Sequence, residues 1–175
     1  MRIYLIGYMG CGKSSIGRKM SKYHSLQFID TDSVIEQREG ASCADVITYE
    51  GEPYFRQCEQ EVLAQTAEVE NAVISTGGGL PIWGDNMERI SELGVSVYIR
   101  RSPEQILSRL SPHGRHKRPK FRGLNDEELL AFMHSNLAER EPTYLRADIV
   151  VDCEAMDDAT LINTIMQRIK ELKNN

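Results

Sequence analysis

The sequence predicts an α/β protein: a three-layer, doubly wound, five-stranded parallel sheet with helices on both faces. Two observations lead there. Short β-branched runs, "IYLI" (3–6), "NAVIST" (71–76), "VSVYIR" (95–100) and "ADIVVD" (147–152), are apolar on both faces. Strands that read this way are buried on both sides, as in parallel sheets. Helical periods separate these runs, and strand–helix alternation with right-handed crossovers winds a sheet of this kind. "LQFID" (26–30) supplies a shorter fifth strand. The 175 residues show no internal repeat or low-complexity tract, so one domain over 1–175 is expected.

The helices follow in order. Ile16, Met20 and Tyr23 recur at helical spacing after a glycine-rich turn, and Phe55, Cys58 and Val62 do so in a helix from about 53 to 68. Ser102-Pro103-Glu104-Gln105 reads as a capping box with proline at the first helical position. Leu130, Met133 and Leu137 mark a helix over about 126–140, and Ile162, Ile165, Met166, Ile169 and Leu172 mark a C-terminal one.

Composition narrows the function. Hydrophobic residues at 41% and charged residues at 27% are ordinary for a globular protein. No apolar run reaches the length of a membrane helix, and the N-terminal run is too short for a signal or transit peptide, so a cytoplasmic protein is expected. Cys11, Cys43, Cys58 and Cys153 are widely spaced and read as free thiols, not as a disulfide frame or zinc site. A net charge of −5 argues against general nucleic-acid binding. The charge is uneven, however: no acid lies between Glu104 and Asp126, where Arg109, Arg115, Lys117, Arg118, Lys120 and Arg122 fall.

Ligands of doubly wound sheets bind at the carboxyl ends of strands. After the first strand, Gly7, Gly12, Lys13 and Ser14 fit G-x-x-x-x-G-K-[ST], with a helix following. Glycines let the amides of Gly10, Cys11, Gly12 and their neighbours turn inward as an anion nest, and the helix start through Ser15 adds its positive end. Lys13 supplies a cation for the β- and γ-phosphates, and Ser14 a hydroxyl for Mg²⁺. This is a P-loop, a nucleoside triphosphate site. No N-K-x-D base reader of a GTPase is present. A small chain with a basic, lid-like loop suggests a metabolite or nucleotide kinase.

Further motifs stand in order along the chain: Asp30-Thr31-Asp32, "EGEPYFRQCE", Gly77-Gly78-Gly79, "RHKRPKFR" and "LAEREPTY". With the phosphate loop, this ordered set resembles shikimate kinase over most of the chain. The resemblance implies transfer of the γ-phosphoryl of ATP to the 3-hydroxyl of shikimate, in aromatic amino-acid biosynthesis. It also implies a fold like the nucleoside monophosphate kinases, with a substrate-binding helical segment over about 32–62 and a mobile lid over about 111–124.

Residue by residue, Asp32 matches the family's substrate aspartate, which orients the hydroxyl and accepts its proton. Its alternative role is to cap the helix over "SVIEQR". Asp30 matches a residue near Mg²⁺, acting through water, and Ser75 fits the family's replacement for an acidic strand end. Arg56 and Arg140 match the carboxylate-binding arginines, with Glu59 one turn from Arg56 to hold its fork. Gly77 to Gly79 allow a ring to approach the backbone. Arg118 matches the essential lid arginine, and Arg109 a residue that packs on adenine. The chain departs from the family after the last strand, where "CEAMDDA" (153–159) is acidic and lacks proline. His113 and His116 read as solvated lid residues.

The expected protein is thus a monomeric, cytoplasmic shikimate kinase using ATP and Mg²⁺, with no nucleic-acid or membrane partner. The rivals are another small-metabolite kinase, acting on gluconate or a nucleotide, and a non-catalytic ATP- or RNA-binding module.

Overall fold

A computed structural model describes residues 1–111, 114–115, 118–153 and 156–174. Five parallel strands form one sheet: β1 (Arg2–Ile6), β2 (Gln27–Asp30), β3 (Ala72–Ser75), β4 (Val95–Arg100) and β5 (Ile149–Asp152), in the order β2-β3-β1-β4-β5. The chain runs from central β1 out to β2, returns through β3, then crosses to β4 and β5. Crossovers thus diverge to either side of β1, and the loop leaving β1 lies at the switch point of the sheet. Ile3 to Ile6 are fully buried, as strands covered on both faces require.

The helices are α1 (Lys13–His24), α2 (Thr31–Glu39), α3 (Cys43–Glu50), α4 (Glu52–Gln65), α5 (Asn86–Leu93), α6 (Pro103–Arg109), α7 (Asp126–Tyr144) and α8 (Asp158–Asn174). In α1, Ile16 and Met20 are buried, but Tyr23 is 68% exposed. The apolar stripe ends one turn early, and the ring of Tyr23 lines a surface cleft instead. Leu172 of α8 is likewise exposed, where the helix outruns the core. In α7 it is Leu129, with Met133 and Leu137, that is buried, and Leu130 is half-buried.

Local signals set the boundaries. The Ser102–Gln105 capping box forms with both of its bonds, and Asn125 and Glu128 form another at the start of α7. Asp30, not Asp32, caps α2: its Oδ1 accepts the Ser33 amide at 3.3 Å. This frees Asp32, in the first turn, for other work. The α4 helix ends at Gln65 and tightens to a 3₁₀ turn over Thr66–Glu68.

Helix α7 runs past the expected end at 140 and carries Pro142 inside it to Tyr144. Proline removes one helical bond, and tertiary contacts hold the last turn in place. Glu141 accepts from Tyr98 Oη at 3.2 Å and Arg100 Nε at 2.8 Å, and the Tyr144 ring packs on Tyr98 with centroids 5.2 Å apart.

The segment over α2 to α4 has its own small core of Ile35, Val46, Phe55, Cys58 and Val62, separate from the main core around the sheet.

Candidate active site

The loop after β1 is shaped by three left-handed glycines, Gly7 (φ 139°), Gly10 (φ 84°) and Gly12 (φ 100°). Side-chain-bearing residues rarely adopt these conformations. Lys13, at the start of α1, is 7% exposed and folds back onto the loop. Its Nζ donates to the carbonyls of Gly7 (2.8 Å) and Tyr8 (3.0 Å). The loop therefore holds a buried ammonium against backbone oxygens, beside the positive end of a twelve-residue helix. That arrangement favours a polyphosphate.

Ser14 Oγ lies 3.1 Å from Ser75 Oγ at the end of β3, and Asp30 is paired in register with Ser75 at the end of β2. Two hydroxyls and a carboxylate form a hard-oxygen donor set, which fits Mg²⁺ with water completing its shell. Asp152, the other acid at a strand end, pairs instead with Arg100 at 3.4 Å.

Asp32 faces this loop across the end of the sheet. Its Oδ1 is buried and has no hydrogen-bond partner among the described residues. Burial, with the neighbouring Asp30 carboxylate, pushes the Asp32 carboxyl up to about 6, against the pull of Lys13 and Arg56. A carboxylate with a free oxygen and an affinity for protons near neutrality can accept one.

Arg56 and Glu59 stand one turn apart on α4. Arg56 Nη1 meets Glu59 Oε2 at 2.6 Å, while Nη2 meets Glu52 at 2.7 Å. Glu59 is 1% exposed, and burial pushes its carboxyl up to about 7 despite that partner. Arg140, on α7, lies 5.9 Å from the Tyr8 ring. The Glu52 carboxyl is lowered by its bond to Arg56, with smaller contributions from the Lys120 and Arg140 charges.

The three glycines after β3 touch three different groups. A Cβ on Gly77 would lie 2.5 Å from Asp32 Oδ1 and 2.9 Å from Glu59. One on Gly78 would meet Met9 N at 3.2 Å, in the phosphate loop, and one on Gly79 would meet Arg56 Nη1 at 2.5 Å. The triplet is therefore the seam between loop, acid and arginine. Its amides are not all spare: Gly77 N–H donates to Thr31 Oγ1 at 2.9 Å, and the space a Cβ would take there is filled by Asp32 and Glu59. Tyr144 Oη donates to the Gly78 carbonyl at 2.6 Å, fixing the triplet to α7. Neither tether has a signal in the local sequence around the glycines.

On the other side of the loop, a Cβ on Gly10 would lie 4.0 Å from Arg118 Nη2, and one on Gly12 would lie 3.9 Å from Arg109 Nη2. Arg118 donates to the Gly114 carbonyl and lies 6.0 Å from the Phe121 ring. Burial lowers its guanidinium below the ordinary value. Arg109 lines a cleft of about 470 Å³ with Lys19, Tyr23, Met156 and Asp158. The expected lid residues 112, 113, 116 and 117, including His113, His116 and Lys117, lie outside the described residues, as do 154 and 155 of the departing segment.

Residues 9–170 match the family model for shikimate kinase. The chain belongs to the shikimate kinase family. That family consists of ATP-dependent kinases acting on shikimate. The chain is 41% identical over 155 residues to the shikimate kinase of Parabacteroides distasonis, an alignment covering 89% of each protein. Among solved structures, it superposes on shikimate kinase from Bacteroides thetaiotaomicron with a TM-score of 0.87, at 35% identity, over 100% of this chain and 99% of the other. It superposes on the Acinetobacter baumannii enzyme in complex with shikimate with a TM-score of 0.89, at 30% identity, over 99% and 95%. The fold expectation of a five-stranded parallel P-loop kinase sheet is met. Membership of this family, with curated relatives of the same activity over almost the whole chain, sets aside the gluconate, nucleotide and non-catalytic alternatives.

Proposed function

We propose that this chain transfers the γ-phosphoryl of ATP to the 3-hydroxyl of shikimate through the residues converging at the strand ends. The observation that carries the reading is Asp32. Its free oxygen is enclosed by Gly77, within the fields of both Lys13 and Arg56.

In this reading the amides of Gly10, Cys11, Gly12 and the first turn of α1, through Ser14 and Ser15, hold the phosphates. Lys13 releases its loop carbonyls to meet the β- and γ-oxygens. Ser14, and Asp30 through water, hold Mg²⁺, with Ser75 in the same shell. The chemistry Mg²⁺ would supply there is neutralisation of charge on the β- and γ-phosphates. Arg56 and Arg140 grip the substrate carboxylate, with Glu59 fixing the Arg56 fork. Gly77 to Gly79 leave room for the ring.

Asp32 then orients the 3-hydroxyl. As its oxygen bonds to the γ-phosphorus and the bond to ADP breaks, the proton passes to Asp32. Arg118 stabilises the charge on the phosphoryl oxygens, delivered by a lid over 111–124 that excludes water. The acceptor side is the helical segment over about 32–62, within a single domain. Arg109 packs against adenine on the cleft side. Catalysis comes from positioning and charge stabilisation.

The same reading takes the chain as a cytoplasmic monomer without nucleic-acid or membrane partners. The net charge of −5 supports the exclusion of nucleic acid, and among the described residues no helix is long and apolar enough to cross a membrane. The decisive experiment is an ADP-release assay with and without Mg²⁺, across shikimate, gluconate and nucleoside monophosphates. Turnover with shikimate alone supports the reading; turnover with a neutral polyol or a nucleotide at a similar rate defeats it.

A further inference from the structure

Arg101 follows β4 directly and belongs to no motif, yet it is 6% exposed. Its Nε donates to the Cys11 carbonyl at 2.9 Å and its Nη1 to the Cys153 carbonyl at 3.3 Å. Its Nη2 is buried and has no hydrogen-bond partner among the described residues. Burying a guanidinium is costly, and burying one whose bonds run to neutral carbonyls costs more than a paired one. Packing alone would favour an apolar side chain here, so the cation calls for another explanation.

The Cys11 carbonyl suggests one. It shares a peptide unit with the Gly12 amide, and no cis peptide occurs among the described residues. In a trans unit the C=O and N–H point in opposite directions. Gly12, at φ 100°, has the conformational freedom that would let this unit rotate. Gly12 is also the N-cap of α1, where its amide has no intrahelical acceptor. The Cys11 amide, by contrast, donates to the Tyr8 carbonyl at 3.3 Å and must leave it to join the nest. Whichever way the Cys11 carbonyl is held, the Gly12 amide must face the other way.

We propose that Arg101 is a positioning residue: by holding the Cys11 carbonyl away from the phosphate loop, it keeps the Gly12 amide turned into the anion nest. It acts through the backbone and touches no reacting atom. Its second bond, to Cys153 at the end of β5, ties this peptide unit to the strand beside β4, so the clamp is braced from outside the loop. Among the described residues no acid pairs with Arg101, and its buried charge adds its field beside the phosphate loop.

This inference rests on the phosphate-loop reading above, and the test separates the two. The probes are adenylyl imidodiphosphate with Mg²⁺ and, separately, shikimate, each titrated calorimetrically against the full chain and variants. Arg101→Met keeps the stem and removes the clamp. The expected result is about tenfold weaker nucleotide binding, the loss of one charge-assisted hydrogen bond. KM for ATP should rise in step, with shikimate affinity unchanged. Nucleotide affinity equal to that of the wild type, with only a lower unfolding midpoint, would overturn the assignment. Should Arg101→Met not fold, Arg101→Gln is judged by the same criterion. Failure of both to fold also overturns it, since the guanidinium would then be a requirement of the fold. Lys13→Ala is run in parallel: if it binds the nucleotide normally, the phosphate-loop reading fails whatever Arg101 does.

Discussion

The loop after β1 and the acid–arginine cluster facing it bind charge by opposite means. The loop is backbone: three left-handed glycines shape it, and its one buried cation, Lys13, is satisfied by carbonyls at 2.8 and 3.0 Å. The cluster is side chains. Asp32, Glu59 and Arg56 come from two helices, and both acids are raised by burial, to about 6 and about 7. A backbone nest can be specified by residues adjacent in sequence. A buried charge cluster requires distant residues to be delivered together, at a standing cost in desolvation. The loop should therefore lose function without losing fold, whereas the cluster should trade one against the other.

The largest effect expected is at Lys13. Lys13→Ala should lower kcat by at least about 10³-fold, the cation being aimed at charge on the transferring group. Thermal stability should move by no more than about 1–2 kcal/mol, because only two carbonyl contacts are lost. Steady-state assays and thermal melts together check this. A large loss of stability would erase the contrast between the two regions.

Asp32→Asn sharpens it from the other side. Removing the proton acceptor should cut kcat by about 10²- to 10³-fold. The variant should nonetheless be more stable than the wild type at pH 8, because the ionised carboxylate is penalised by burial. The shift from 3.8 to about 6 sets a ceiling of about 3 kcal/mol. Between these two values the folded chain retains a proton that the unfolded chain has lost. The wild type therefore gains stability as pH falls from about 6 towards 4, and the advantage of Asn fades over the same range. Activity of the wild type should fall in that window as the acceptor is protonated. Melts at several pH values, set beside pH–rate profiles, test both signs. An Asn variant less stable than the wild type at pH 8 would mean that Asp32 serves the fold.

The same division explains how much could be read before the structure. The five strands, the Ser102 capping box and the phosphate loop were legible because their signals are local: apolar runs, an i to i+3 pair, and glycines at fixed spacing. Asp32, Arg56, Gly77 to Gly79 and Arg140 were legible only as an ordered set, through resemblance. No one of them is distinctive alone, since an aspartate beginning a helix is commonly a cap. That cap proved to be Asp30. The exposure of Tyr23 and the run of α7 through Pro142 depend on where the core ends and on the contacts of Glu141 and Tyr144. Arg101 was invisible: an arginine following a strand reads as solvated, and only the assembled fold buries it.

Arg56 and Arg140 allow the comparison to be made within the cluster. Each bond to a carboxylate is worth on the order of 1.5–3 kcal/mol, so either alanine variant should raise KM for shikimate by about tenfold to a hundredfold. They should differ in stability. Arg56→Ala strands Glu59, which is 1% exposed, without its partner, and should cost about 3 kcal/mol. Arg140 packs over Tyr8 and no ion pair ties it to a buried acid among the described residues, so Arg140→Ala should cost little. Equal destabilisation by the two would show that Glu59 is not held by Arg56. Lowering the pH towards 5 should shrink the penalty of Arg56→Ala, because the stranded carboxyl can then take up a proton.

The smallest expected effects come from neighbouring glycines, and they place the boundary between the two regions at a single peptide bond. A methyl on Gly79 would press on the Arg56 guanidinium at 2.5 and 2.9 Å, while φ of −89° leaves the backbone unstrained. A methyl on Gly78 would press on Met9 N at 3.2 Å and the Gly7 carbonyl at 3.5 Å, both in the phosphate loop. Overpacking of this kind displaces the neighbour at modest cost. Gly79→Ala should therefore raise KM for shikimate by about fivefold and leave ATP alone, and Gly78→Ala should do the reverse. The two need different relief: a guanidinium on a long stem can swing aside, whereas a backbone amide in a glycine-shaped loop moves only with the loop. Kinetics with each substrate varied in turn separate these outcomes. If both variants weakened the same substrate, loop and cluster would be one rigid site, and the contrast between backbone-built and side-chain-built binding would not describe this protein.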